Sequence, residues 1–440
     1  MPEVIEVTLH PILGGCCACG IEASVMTNLG PFTGRVAFPI DIDDAVPKFE
    51  DFTVSQVKID DALKKVDPRE MSKVDELLQG LAGVDPAILL AVSIACSRAG
   101  ARHKGQPLYQ YISELTSTEP RIPLPIPTVL SRTVGDLSEK RTQTVHMYPI
   151  SASSLDSSLE TLLQAGSRLY SELAKQNATL SIPSSGCMQV AATSMEETLT
   201  LVMSALDETE EREGLAVKVA VDYKGGNFVK ISQEEDGEKE IVYTFNGDEP
   251  TASGTDVVEN IISQWKEFEV VAIEDPLHVQ DIPSLRNLKG RITETIDTLK
   301  ADGSTRELNY SMGGVGGDDS CHIQIIADTA CKNPEEMRML ANEAVFDAIK
   351  IRLEKVGSIS NAIEMCKTAR EIGWGIVIAC AEESPETTDT FISDFAVGVG
   401  AGQFMGGGLH SLEYGCKYNR LLEIRREDEA ITFIGTKFRR

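Results

Sequence analysis

Val270-Val271-Ala272-Ile273-Glu274-Asp275-Pro276 is the stretch on which the reading of this chain turns. Four apolar residues run straight into two carboxylates and a proline. The pattern predicts a buried parallel strand whose carboxyl end opens into a loop. Proline ends it, because it cannot donate to a ladder. Val217-Lys218-Val219-Ala220-Val221-Asp222 and Ile323-Gln324-Ile325-Ile326-Ala327-Asp328 repeat the form. In a (β/α)₈ barrel the carboxyl ends of the strands carry the chemistry. Asp222, Glu274 and Asp328 are therefore candidate ligands of one Mg²⁺, an ion that prefers hard oxygen donors and keeps several waters. Each acid taken singly is explained as well by capping the following helix or turn. Their shared construction favours a common site.

Length and charge bound the rest. At 440 residues the chain is too long for one small core, and two domains are expected. The formal net charge of -27 argues against a broad basic face for nucleic acid and against anionic membranes. A small anionic ligand would need local positive groups or a metal. The apolar run 87–95 is too short to span a membrane. The acidic N-terminus lacks the charged and apolar regions of a secretory signal, so a cytoplasmic protein is expected. Ten cysteines are scattered without a framework. Cys96 and Cys366 fall in helical apolar patterns and read as reduced core residues. Cys16-Cys17-Ala18-Cys19 holds one C-x-x-C with no second pair, which suits an exposed loop better than a zinc site.

Strands are expected at 4–9, 21–27 and 34–38, followed by helices at 55–66, 70–80 and 86–104. The last opens on Asp85-Pro86, a good N-cap and first-turn pair. Strands first and helices after make a small α+β unit. The prolines of 120–127 exclude a helix there and mark a linker or the first edge of the next domain. Beyond residue 150, helices are expected at 154–175, 194–206, 254–266, 334–342, 358–372 and 411–424. They alternate with strands at 217–222, 270–274, 323–327, 347–352, 375–380 and 395–399. Alternation of this kind predicts a parallel sheet, and its count suits a barrel. Residues 226–247 read as a hairpin. Residues 291–320 read as a polar, Gly-rich insertion, and no Gly-Lys-Ser/Thr follows its glycines to make a phosphate-binding loop.

Together these landmarks resemble the enolase family. Gly105-Gln106-Pro107-Leu108-Tyr109, Ile273-Glu274-Asp275-Pro276, Gly357-Ser358, Gly373-Trp374-Gly375, Gly402-Gln403 and Lys417-Tyr418-Asn419 follow one another in the family's order. The resemblance implies an α+β N-terminal domain, residues 1–122, on an enolase-type (β/α)₈ TIM-like barrel, residues 123–440. It also implies dehydration of 2-phosphoglycerate to phosphoenolpyruvate with Mg²⁺, by cytosolic dimers. Asp222, Glu274 and Asp328 match the family's metal ligands.

The other site positions depart from the pattern. Arg352 stands where the family has its base lysine, and arginine stays protonated at any physiological pH. Lys350, two residues away on the same strand face, is the candidate substitute. Met405 replaces the lysine that meets the substrate carboxylate. Ser184 replaces the general acid, and Gln143-Thr144 a Gln-Glu pair. Gly135 replaces the mobile-loop histidine, Ala379-Cys380-Ala381-Glu382 the phosphate cluster, and the acidic loop 39–44 the lid. Losing a positioned acid or base reduces rate roughly 10²–10⁴-fold. Three readings follow. In the first, the chain is an enolase-fold protein that has lost the dehydration, keeps one Mg²⁺ and serves a binding or scaffolding role. In the second, it is a working phosphopyruvate hydratase using Lys350 and Arg352. In the third, it is another metal-assisted lyase with Cys380, Arg352 and Lys350 as candidates. In the family's dimer interface an arginine meets a glutamate; His10 and Glu413 align there, so a homodimer is expected.

Overall fold

The structure, a computed structural model, describes residues 2–15, 18–38, 52–133, 142–175, 181–182, 185–190, 192, 194–213, 216–233, 239–245, 251–301, 323–380 and 385–439. Strands β1 (Val4–Leu13), β2 (Cys19–Thr27) and β3 (Gly30–Ala37) form an antiparallel sheet in the order β1-β2-β3. Alternate residues on β1 and β2, among them Val7, Leu9, Ile21, Ala23 and Val25, are buried, the period-two signature of a sheet with one covered face. Helices α1 (Phe52–Leu63), α2 (Met71–Gln79), α3 (Pro86–Lys104) and α4 (Leu108–Thr116) follow. Asp85 caps α3 by accepting from the Ala87 amide at 2.8 Å, and Gly105 closes it in the left-handed region. Ile88, Leu90, Ala91, Val92, Ile94 and Ala95 on α3 are buried. The helix lies so close to β3 that a Cβ at Gly34 would sit 2.2 Å from the Ala91 carbonyl oxygen.

The second unit begins with β4 (Arg121–Ile122), β5 (Leu124–Pro125), β6 (Thr128–Thr133) and β7 (Thr142–Tyr148). Then come α5 (Leu155–Lys175), β8 (Met188–Val190), α6 (Met195–Glu213) and β9 (Lys218–Asp222). A side sheet, β10 (Val229–Gln233), β11 (Lys239–Tyr243) and β12 (Ala252–Ser253), leads into α7 (Gly254–Phe268). The alternation continues with β13 (Ala272–Glu274), α8 (Ile282–Ala301), β14 (Gln324–Ala327), α9 (Pro334–Ala341) and β15 (Ala348–Arg352). It ends with α10 (Leu353–Val356), α11 (Ile359–Glu371), β16 (Gly375–Ala379), α12 (Phe391–Gly398), β17 (Gln403–Met405), α13 (Leu412–Glu427) and β18 (Thr432–Phe433).

The large sheet runs β5-β17-β16-β15-β14-β13-β9-β7-β6-β8. Only β7 is antiparallel to its neighbours. The run 124–133 pairs with β17 at its start and with β7 at its end, so one chain segment joins both ends of the series. The sheet therefore curls into a barrel. Side chains confirm the curl: the Tyr148 hydroxyl on β7 donates to Gln403 on β17 at 2.8 Å, and Gln403 donates to Gln324 on β14 at 2.9 Å. A separate apolar cluster fills the lumen, with Leu124, Tyr148, Ala220, Ala272, Ile326, Ala348, Val377 and Met405 coming from eight different strands. Phe438 plugs it, its ring 5.4 Å from that of Tyr148, while β18 pairs with β4 alongside.

The expected α+β unit and barrel both stand, with three corrections to the element reading. Residues 395–399 lie largely in α12, not in a strand. Phe391, Phe395, Ala396 and Val397 are buried on several sides of that helix, and a continuous apolar run has no period to tell helix from strand. The strand of that region is β17. Helix α8 extends to Ala301, into the stretch read as Gly-rich; residues 302–322 lie outside the described residues. Strands β6 and β7 were not anticipated. Among the described residues, no helix is long and apolar enough to cross a membrane.

A half-buried ion pair ties the small unit to the barrel: Arg98 on α3 meets Asp389, just before α12, at 2.7 Å. Burial alone would push the Asp389 carboxyl up, but the Arg98 guanidinium and the amides of Phe391 and Arg35 hold it below its usual range. A depressed carboxylate contributes stability above its unfolded pKa, about 3.9, and loses it as pH falls through the folded value. Asp389→Ala is therefore expected to destabilise the protein at neutral pH by roughly 1–3 kcal/mol, through the Arg98 guanidinium left without its carboxylate. The deficit should shrink on acidification below pH ~4. Denaturant melts at both pH values measure it, and a pH-independent deficit would refute the ion-pair account.

Candidate functional site

The strand ends converge as the parallel ladder requires. Asp222 closes β9, Glu274 closes β13, Asp328 follows β14 and Arg352 closes β15. Glu274 sits in register with Asp222 on one side and Ile326 on the other. The three acids thus occupy neighbouring positions at the carboxyl end of the barrel. Their backbone is held by local devices. Asp275, at a φ of 38°, accepts from the amides of Asp328 and Thr329 at 2.9 and 2.8 Å and so fixes the loop that carries Asp328. Lys224 also has positive φ, and its amide donates to Asp222 at 3.0 Å. Such conformations are uncommon outside glycine and gather where a loop is tightly determined.

Cations built into the chain meet these acids. The Lys350 ammonium, its side chain fully buried, donates to Glu274 Oε1 at 2.6 Å and stands 3.8 Å from Asp328 Oδ2. Arg352 Nη2 lies 2.7 Å from Asp328 Oδ1. Lys224 Nζ lies 3.8 Å from Asp222 Oδ2. Three carboxylates therefore face three cations. Lys350 is engaged as a donor, and Arg352 is locked to an acid by its guanidinium.

His146 enters the same cluster. It projects from β7, between Thr144 and Tyr148, with its ring nitrogens 3.1 Å from Thr128 Oγ1 and 3.4 Å from Thr144 Oγ1. His146, Asp222 and Glu274 are all buried and each offers a ligand atom within 4.8 Å of the others. This is a possible metal-binding group. One nitrogen and two carboxylates suit a first-row divalent ion better than an all-oxygen Mg²⁺ site. The same Glu274 already accepts from Lys350 through Oε1, so a divalent ion here would share that carboxylate with an ammonium. The sequence reading missed His146. Its signal was the period-two run Thr144, His146, Tyr148, which places all three on one strand face.

The remaining candidate positions are distributed differently. Met405 belongs to the apolar filling of the lumen. Cys380 follows Ala379 and turns to the opposite side, into the outer core, where burial pushes its thiol well up. That is the environment of an inert thiol. Gln143 is engaged structurally, donating to the Tyr223 carbonyl at 2.9 Å. Ser184, Gly135, the loop 39–44, the pair Cys16-Cys17 and residues 381–383 lie outside the described residues. Cys96 and Cys366 are free and buried.

Residues 315–440 match the family model described as enolase, C-terminal TIM barrel domain. The chain is 28% identical over 367 residues to the enolase of Eimeria tenella, covering 80% of this chain and 73% of that protein. It is 28% identical to enolase B of Dictyostelium discoideum over 78% of this chain and 72% of that one. With cytosolic enolase 3 of Arabidopsis thaliana it shares 27% identity over 85% of this chain and 74% of the relative. A barrel with acids at three adjacent strand ends, preceded by a three-stranded sheet and helices, agrees with those relationships. These relationships support a divergent relative of the enolases, similar to them over most of its length.

Proposed function

We propose that this protein keeps the enolase scaffold without the dehydration of 2-phosphoglycerate, and that residues 123–440 serve as a binding or scaffolding barrel carrying the unit 1–122. The observation that carries this reading is the Lys350 ammonium 2.6 Å from Glu274, beside the Arg352–Asp328 pair. Abstraction of a proton next to a carboxylate needs an available base and strong stabilisation of the dianion formed. Here the two nearest nitrogens at the family's base position are spent on the acids. Met405 puts a thioether where the family places a cation. Mg²⁺ is the ion that three oxygen ligands would take, and in this reading Lys350 competes with it for Glu274. Cytoplasmic residence fits the plant relative's description as cytosolic.

The first test is formation of phosphoenolpyruvate from 2-phosphoglycerate by the pure protein with excess Mg²⁺. No turnover is expected. Turnover that disappears in Lys350→Ala would overturn the reading and assign Lys350 as the base of a working phosphopyruvate hydratase.

The competition with Mg²⁺ has its own readout. Lys350→Met removes the ammonium from beside a buried carboxylate and should lower metal-free stability by roughly 3–5 kcal/mol. Its melting temperature should then rise with Mg²⁺ concentration by mass action, while that of the wild type stays level. Equal sensitivity in both proteins would rule out competition at Glu274.

A homodimer belongs to the same proposal, with His10 on β1 and Glu413 at the start of α13 replacing the family's arginine–glutamate contact. Light scattering at neutral pH should report twice the chain mass, and a monomer would discard the dimer.

A further inference from the structure

Outside the barrel lumen, a cavity of about 160 Å³ lies between β6, β7 and the helices α6 and α7. Arg132, Gln143, Ser194, Tyr223, Asn260 and Gln264 supply its polar lining. Arg132 is only 2% exposed, which makes it one of the largest fully buried side chains described. Its Nε donates to Gln143 at 2.8 Å and its Nη2 to the Phe245 carbonyl at 2.9 Å. Both partners are neutral. Among the described residues no carboxylate lies within ion-pair distance of this guanidinium, whereas the other buried arginine of the barrel, Arg352, has Asp328. Burial accordingly pulls Arg132 down to about 10, with the more distant Glu197 acting in the other direction. Arginines buried in proteins ordinarily have an anionic partner, since an isolated charge is strongly disfavoured in a low-dielectric site.

Two further features of the cavity favour negative charge. Ser194 and Met195, which line it, form the amino end of the 19-residue helix α6, where amide hydrogens and the helix dipole attract anions. The Ser194 hydroxyl caps that helix by accepting from the Glu197 amide at 3.1 Å. Three of the five guanidinium hydrogens are left after the bonds to Gln143 and Phe245, enough for a two-point contact with an oxyanion. The opposing groups are Glu196, which lines the cavity, and Glu197. The volume matches the roughly 150 Å³ of a cavity that encloses benzene, so the occupant is a small molecule and not a polymer end.

We propose that this cavity is a binding site for a small oxyanion, of carboxylate or phosphate type, with Arg132 as its anchor. It is separate from the strand-end acids and stands whether or not the barrel mouth turns over substrate.

The test uses the full chain, with inorganic phosphate and acetate titrated separately against calorimetric heat and melting temperature, and chloride at matched ionic strength as the control. One of the two anions should bind saturably and raise the melting temperature, and which one does so separates the phosphate from the carboxylate class. Arg132→Met should lose the binding and the shift. Glu196→Gln should tighten binding by removing a like charge, which keeps the proposal testable should Arg132→Met fail to fold. No saturable binding of either anion to the wild type would overturn the assignment. Binding that survives in Arg132→Met, or that is unchanged in Glu196→Gln, would do the same.

Discussion

Charge balance inside a low-dielectric barrel governs what this site can be. A carboxylate buried alone is destabilised by several kcal/mol, so three acids at adjacent strand ends persist only with matching positive charge. In a family that binds a metal there, the ion supplies that charge. Here Lys350, Arg352 and Lys224 reach the same acids from within the chain. Lysine and arginine at positions 350 and 352 and acids at 222, 274 and 328 are therefore one electrostatic unit. The φ of 38° at Asp275 is part of it, because that residue's carboxylate holds the Asp328 loop at the distance the guanidinium requires.

The apolar filling of the lumen supports the same view. Met405, Ala379 and Ile326 belong to it, and Met405 and Ala379 stand in register with Arg352, Ile326 with Glu274. The mouth is thus polar on the side of β9 to β15 and apolar on the side of β16 and β17, an asymmetry set by which residue each strand ends on.

Much of this was legible in the sequence. The three strand-end acids could be found because each followed a run of Val, Ile and Ala, and β-rich runs separated by helical patterns imply a parallel sheet. Arg352 at the end of its strand was legible as well. What could not be read was who touches whom. Lys350 was recognisable as sharing a strand face with Arg352, but its bond to Glu274 spans 76 residues and depends on the barrel's curvature. His146 and Arg132 sit on β7 and β6, the strands of the barrel's antiparallel entry, where two strands follow one another before the first helix, α5. The strand expected at 395–399 failed because α12 is buried on several sides, so that its apolar run carries no helical period.

The plug formed by Phe438 bears on the order in which the molecule assembles. β18 pairs with β4 across more than three hundred residues, and Phe438 packs on Tyr148 over a separation nearly as long. Contacts of such separation form late, since the intervening chain must first be brought together. During synthesis the small amino-terminal sheet and its helices can complete themselves early. The barrel, by contrast, stays unsealed at its base until residues 432–438 have left the ribosome. Until then the apolar lumen is open to water and to other chains, a window in which an unfinished barrel is exposed to aggregation.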